Sequence, residues 1–209
     1  MTPRPAPPAE PILGVAPQPG KETLGCGGLI AWSVRDGRAL HIHSVTADAA
    51  SPPGSFARSL ARRAAPREVR AAEALRRLGA GAVPRSFLGL PDAAMPAPGT
   101  PAYAKALGVI LDALDAALVV LPWRRDPHCD TRPQVLDYAI WFDEIGVPGD
   151  PPRPGEAEAV ALDVSPALKR AALRPHPSQR GELVLDDSGG FVLGPETILC
   201  LTGPEEVCW

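Results

Sequence analysis

A three-layer α/β fold with a mainly parallel sheet is the architecture this sequence predicts, and three observations predict it. Short apolar runs alternate with longer segments of helical period, the pattern of layer folds whose strands are joined by crossover helices. A glycine-rich stretch, Gly25, Gly27 and Gly28, lies early in the helix that follows the first run, where it would permit close helix-to-sheet approach. Proline, 27 of 209 residues, is concentrated in Pro3 to Pro11, Pro91 to Pro101 and Pro148 to Pro154. Because proline fixes φ and removes an N–H donor, those stretches read as an arm and two loops, and the segments between them are left for regular structure.

Taken in order, Ile12 to Ala16 is a compact first strand, and a helix follows from about Thr23 to Val34, ended by the Asp36-Gly37 turn. Leu40 to Val45 is the second strand. Pro66 suits the first position of a helix running to Leu78 and stopped by Gly79, with Val69, Ala72, Leu75 and Leu78 on its inner face. Phe87 to Leu90 is a short strand, Tyr103 to Ala116 a helix, and Ala117 to Leu121 a strand apolar enough to be buried on both faces. A further helix is expected after Asp130, taking in Val135, Leu136, Ala139, Ile140 and Phe142, then a strand over Ala159 to Val164 and a helix over Ser165 to Leu173. The segment from Arg174 to Trp209 has no clear period. Residues 1–10 form a proline-rich N-terminal arm and 11–209 one domain, a size that supports a single core.

A formal net charge of −3 and a pI near 5.8 leave no cationic surplus to neutralise phosphates along a nucleic acid. No apolar run approaches the roughly 18–20 residues that span a bilayer, and no signal pattern opens the chain, so a cytoplasmic protein without a membrane partner is expected. Cys26, Cys129, Cys200 and Cys208 lack paired spacing and are expected to be reduced thiols.

Ligands of parallel sheets bind beyond the carboxyl ends of strands, so chemistry is sought after Ala16, Val45, Leu88 and Leu121. After Ala16 stands Pro17-Gln18-Pro19-Gly20-Lys21-Glu22-Thr23-Leu24-Gly25-Cys26-Gly27-Gly28, and after Leu121 stands Pro122-Trp123-Arg124-Arg125-Asp126-Pro127-His128-Cys129-Asp130-Thr131. The first resembles P-H-P-D-D-E-x-x-G-C-G-G and the second H-x-D-H, the signatures of the zinc-dependent de-N-acetylases of the PIG-L/LmbE family. Arg67-Glu68-Val69-Arg70 resembles that family's R-x-x-E segment, with Arg70 where an acid is usual, and Lys169 to Gln179 extends the likeness towards the C-terminus. The resemblance implies a Rossmann-like fold, a zinc cofactor and hydrolysis of an N-acetyl sugar.

It also implies where this chain departs. The family's three zinc-ligand positions hold Gln18, Lys21 and Thr131, and the general-base position holds Gly20. A zinc hydrolase needs three protein ligands and an open position, so that the ion can lower the pKa of its bound water and polarise the amide carbonyl. Glutamine is a poor ligand, threonine a rare one, and an ammonium group repels a divalent cation. No zinc or other cofactor is therefore expected, and His128 and Asp130 are remnants of the catalytic set. A replacement site could be assembled from Glu22, His128, Asp130 and His176, since carboxylate and imidazole are competent ligands.

For ligand contact the candidates are Lys21, Glu22, Arg67, Trp123 and His176. Lys21 either fills the space of the missing metal or points to solvent. Asp130 is equally readable as an N-cap, Trp123 as rim packing, and His176 as a surface residue between two prolines. His41 and His43 share one face of a strand and read as structural. The function expected is that of a non-hydrolytic pseudoenzyme binding a small sugar-like ligand or a protein such as an active paralogue. The alternative is a hydrolase of a small N-acetylated amide working through a non-standard site.

Overall fold

The computed structural model of the chain describes residues 11–46, 67–90, 100–101, 118–122, 136–138, 158–162, 164–177 and 193–208. Seven strands form one sheet: β1 (Ile12–Ala16), β2 (Leu40–Thr46), β3 (Arg85–Leu90), β4 (Leu118–Pro122), β5 (Leu136–Tyr138), β6 (Glu158–Ala161) and β7 (Glu205–Cys208). Four described helices accompany them: α1 (Lys21–Arg35), α2 (Arg67–Arg77), α3 (Pro166–Leu173) and α4 (Pro195–Leu201). The strand order is β3-β2-β1-β4-β5-β7-β6, parallel from β3 through β5, with β7 antiparallel to both its neighbours. The chain winds outward from β1 in both directions, so the topological switch point lies between β1 and β4, where ligands of such sheets bind.

β1 is buried along its whole length because both faces of the sheet are apolar. Ile12, Ile42 and Val120 belong to the larger core, with Leu24, Leu29 and Ile30 of α1, Leu75 and Leu78 at the end of α2, and Ala172 and Leu173 of α3. Leu13, Val15 and Val45 form a second cluster with Leu88, Val119 and Leu121, as the alternation of side chains along strands requires. A fully buried Leu or Ile contributes about 1.5–3 kcal/mol relative to exposure, and β1 is the strand that collects such contacts from both sides.

Three sequence expectations are corrected. Residues 136–138 form strand β5, paired in parallel with β4 through Val120 and Leu136, where a helix was expected. A short apolar run carries no decisive period, and the open edge of β4 supplies backbone partners that propensity does not register. On α2 the buried face is Ala71, Ala74 and Leu75, continued by Leu78, while Val69 is 54% exposed. The stripe is rotated from the one expected, which counted Val69 and Ala72 as inward. The last expected strand, Ala159 to Val164, is shorter, ending at Ala161. Ser165 then caps α3, its hydroxyl accepting from the Ala167 N–H at 3.3 Å, with Pro166 in the first helical position. Helix Tyr103 to Ala116 lies outside the described residues, and no described helix is long and apolar enough to cross a membrane.

Helix α1 is broken near its middle. Cys26 has φ −137° and ψ 28°, outside the helical range. Downstream of that kink the Gly28 and Leu29 N–H groups turn to the carboxylate of Glu206 on β7, the Leu29 bond measuring 2.8 Å. A Cβ at position 28 would stand 2.5 Å from Glu206 Oε1 and 3.0 Å from Lys169 Cε, so a larger residue there would push both side chains from their places. This glycine therefore admits a side-chain carboxylate rather than simply letting the helix approach the sheet.

Candidate functional site

The loop from Pro17 to Gly20 leaves β1 at its carboxyl end and is tied to the end of β2. Pro17 O accepts from both the backbone N–H and the hydroxyl of Thr46, each at 2.8 Å. Lys21 N–H donates to Gln18 O at 3.1 Å, closing the turn into α1. Gly20 occupies the N-cap position with φ +99°, in the left-handed region where residues with a Cβ are strained. Its N–H donates to Glu22 Oε2 at 2.7 Å, so Glu22 folds back over the start of its own helix.

The imidazole of His176 lies directly over Gly20. A Cβ on residue 20 would stand 2.5 Å from His176 Cε1 and 3.0 Å from Nδ1, closer than real atoms approach. The ring occupies the space that any side chain at this position, including a general-base carboxylate, would need. Gly20→Ala is accordingly expected to destabilise the protein by about 2 kcal/mol or more, from positive-φ strain together with the clash. Thermal melts of Gly20→Ala alone and combined with His176→Ala check this, the double variant recovering the part due to the clash.

The loop and the first turn of α1 are buried rather than solvent-facing: Lys21 is 3% exposed, and Gln18, Glu22 and Thr23 are buried with it. Lys21 therefore does not point to solvent. His176 is 4% exposed, which corrects its reading as a surface residue. Its turn is drawn in by the His176 N–H, which donates to Leu173 O at 3.0 Å as α3 ends. Arg67, half-buried at the start of α2, donates from Nη1 to Gln18 Oε1 at 2.7 Å. Arg70 stands one turn later and acts on the same place, since the charges felt by the His176 ring are those of Arg70, Lys21 and Arg67. The sequence reading passed over Arg70 as a site residue, although its spacing of three from Arg67 puts the two on one helix face.

Burial dominates the protonation of this site. It pushes the Glu22 carboxyl up to about 7, opposed by the Glu22 and Gly20 N–H groups and by the charges of Arg85 and Lys21. Burial also pushes His176 down to about 4, and Arg70, Lys21 and Arg67 push it the same way. At neutral pH the imidazole is uncharged. Its Nε2 is buried without a hydrogen-bond partner among the described residues, as is Thr23 Oγ1 in the first turn of α1.

Of the three positions that the resemblance assigns to zinc ligands, two are described, and neither Gln18 nor Lys21 has side-chain chemistry that suits a zinc ion. The Gln18 side-chain oxygen, the atom of that residue able to ligate, faces the Arg67 guanidinium, and a buried ammonium stands at position 21. Among the described residues no group of three or more His, Cys, Asp or Glu side chains is placed to hold a metal. Glu22 and His176 of the alternative metal set are both present, but Glu22 is turned to the Gly20 N–H. His128, Asp130, Thr131 and Trp123 lie outside the described residues.

Away from this loop, Ser86 Oγ lies 2.6 Å from both His41 Nε2 and His43 Nδ1, a hydroxyl of β3 bridging two imidazoles of β2. Burial, then the neighbouring His41, lowers the pKa of His43 below its ordinary value.

The comparisons with known proteins agree with this architecture. The family model of PIG-L, GlcNAc-PI de-N-acetylase, matches residues 13–132, more than half of the chain. Among solved structures, the zinc-inhibited form of teicoplanin deacetylase is 19% identical with a TM-score of 0.63, over 95% of this chain and 96% of that one. The N,N'-diacetylchitobiose deacetylase from Pyrococcus horikoshii is 17% identical with a TM-score of 0.58, over 91% of this chain and 73% of that one. At such identities these likenesses speak for the fold. No curated protein matches the chain by sequence. The chain belongs to the PIG-L family and has its deacetylase-type fold.

Proposed function

We propose that this member of the PIG-L family is a non-hydrolytic protein that binds a sugar-type ligand without zinc. The observation that supports the reading is the Arg67-to-Gln18 hydrogen bond of 2.7 Å together with the burial of Lys21, since Gln18 and Lys21 stand at positions that the resemblance assigns to zinc ligands. Amide hydrolysis needs an activated water and a polarised carbonyl, and a metal site supplies both. With neutral or cationic residues at two ligand positions and an imidazole over the base position, the described side chains supply neither. What the described residues keep is the loop at the switch point of the sheet, where ligands of such sheets bind.

The decisive measurement is elemental analysis of untagged protein after zinc is added and dialysed away, together with acetate release from N-acetylglucosamine. Zinc well below one ion per chain and no acetate release are expected. Retention of one zinc per chain with hydrolysis would overturn the reading and favour a site completed by residues such as His128 and Asp130.

A further inference from the structure

We propose that His41, Ser86 and His43 form a proton-operated latch on strand β3, closed while the two imidazoles hold at most one added proton and opened by a second.

The latch follows from counting hydrogens. Ser86 Oγ lies 2.6 Å from His41 Nε2 and 2.6 Å from His43 Nδ1, within hydrogen-bond distance of both. A hydroxyl has one hydrogen to donate, so it donates to one ring and accepts from the other. With both imidazoles neutral the bridge is complete. A proton added to His41 keeps it complete, with His41 Nε2–H donating to Ser86 Oγ and the hydroxyl donating to His43 Nδ1. A second added proton puts hydrogens on both facing nitrogens. The hydroxyl hydrogen then loses its acceptor in the bridge, and two cations meet across one oxygen, which drives the rings apart.

The surroundings do not offset that second charge. His41 and His43 share one face of β2, where β1 sets Leu13 and Val15 in register with them and β3 sets Ser86 in register with His43. Arg85, the cation beside Ser86, turns to α2, its Nη1 donating to Glu68 O at 3.5 Å. Among the described residues the charge acting on the buried His43 is that of His41, and burial adds to its effect. His43 Nε2 has no hydrogen-bond partner among the described residues, so no acceptor is in place there for a cationic ring.

β3 is also the strand such a change can release. It ends the strand order, and among the described strands it is bonded to β2 alone. Arg85, Phe87 and Gly89 are exposed, which leaves Ser86, Leu88 and Leu90 to hold it from within. Segments with few buried contacts open locally at a fraction of the global unfolding free energy. The opening reaches the loop after β1, because Arg85 is one of the charges acting on Glu22, and Thr46, in register with Leu90, holds Pro17 O. The fold lowers the pKa of His43 from its ordinary 6.5, so the contribution of the latch is fully present above 6.5 and is lost as pH falls below it.

The test is amide hydrogen exchange of the full-length protein by nuclear magnetic resonance at about pH 7 and about pH 5, each rate divided by the intrinsic rate at that pH. Protection of the β3 amides is expected to fall about 10-fold or more relative to those of β1 on going to the lower pH. His41→Gln is expected to remove this dependence, because the hydroxyl can donate to the Gln oxygen while a protonated His43 donates to the hydroxyl. In the wild type, ring-carbon shifts followed over the same range are expected to show one proton taken up with β3 protected and the second taken up as it opens. Unchanged β3 protection at the lower pH, an equal loss in His41→Gln, or two imidazolium rings beside a protected β3 would each overturn the proposal. If His41→Gln fails to fold, the wild-type ring titration set against wild-type exchange decides it.

Discussion

Replacing Glu206 by alanine is expected to destabilise the protein by about 3–5 kcal/mol, the cost of breaking a buried charge pair from one side. Glu206 is 6% exposed and its carboxylate has three partners among the described residues: the Gly28 N–H, the Leu29 N–H at 2.8 Å and Lys169 Nζ at 3.1 Å. The kink at Cys26 turns the second half of α1 into a helix with a new N-terminus inside the protein, and Glu206 caps it from a strand at the far end of the chain. Removing the carboxylate leaves two buried N–H groups unsatisfied and an ammonium 5% exposed that retains only the Gly203 carbonyl, 3.0 Å away, of the partners described for it.

Lys169→Met is expected to cost less, since Glu206 keeps both backbone donors, and Glu206→Gln less than Glu206→Ala, since the amide oxygen still accepts. Urea unfolding of the three single variants and of the double variant Lys169→Met with Glu206→Ala measures this order. The double variant is expected to be less destabilised than the sum of the singles. Equal costs for Lys169→Met and Glu206→Ala would show that Glu206 serves the ion pair and not the helix.

The parts of the fold legible in the sequence are those made by local pattern. The first strand, the helix opened by the glycine stretch, the second strand and the helix before Gly79 all lie within a few residues of their expected places, because period, turns and caps are written locally. Strand β7 and helix α4 were not legible. Glu205–Cys208 becomes a strand by pairing with β6 and β5, and no feature of those four residues announces that long-range partner.

The site shows the same division. Gln18, Gly20 and Lys21 were identifiable because the frame around them resembles a known signature. That Lys21 turns inward and that His176 fills the space above Gly20 depend on the way the end of α3 packs against the β1 loop. Position 20 and position 176 carry no mutual signal in a single sequence. Read together, the glycine and the histidine explain each other: the ring can sit there because residue 20 has no side chain.

Acidification is expected to leave the stability of the wild-type site nearly level between about pH 4.5 and 6.5, because two buried groups oppose each other, and to expose each when the other is removed. Glu22 titrates at about 7 in the folded chain against 4.5 when unperturbed, so in that window the folded state binds the additional proton. Its contribution is most favourable below 4.5 and declines as pH rises towards 7. His176 titrates at about 4 against 6.5, so in the same window the unfolded state binds the additional proton. Its contribution is fully present above 6.5 and is lost as pH falls towards 4.

Each shift corresponds to about 3 kcal/mol, and the signs are opposite. Glu22→Gln keeps an acceptor for the Gly20 N–H and removes the titration, so this variant is expected to lose up to about 3 kcal/mol between pH 6.5 and 4. His176→Asn is expected to do the reverse, gaining a similar amount as pH falls from 7 to 4.5. Urea midpoints at half-unit steps of pH for the three proteins decide it. Parallel curves would mean that burial does not set both protonation states, whereas diverging curves place a neutral imidazole and a largely protonated carboxyl side by side at this site below pH 7.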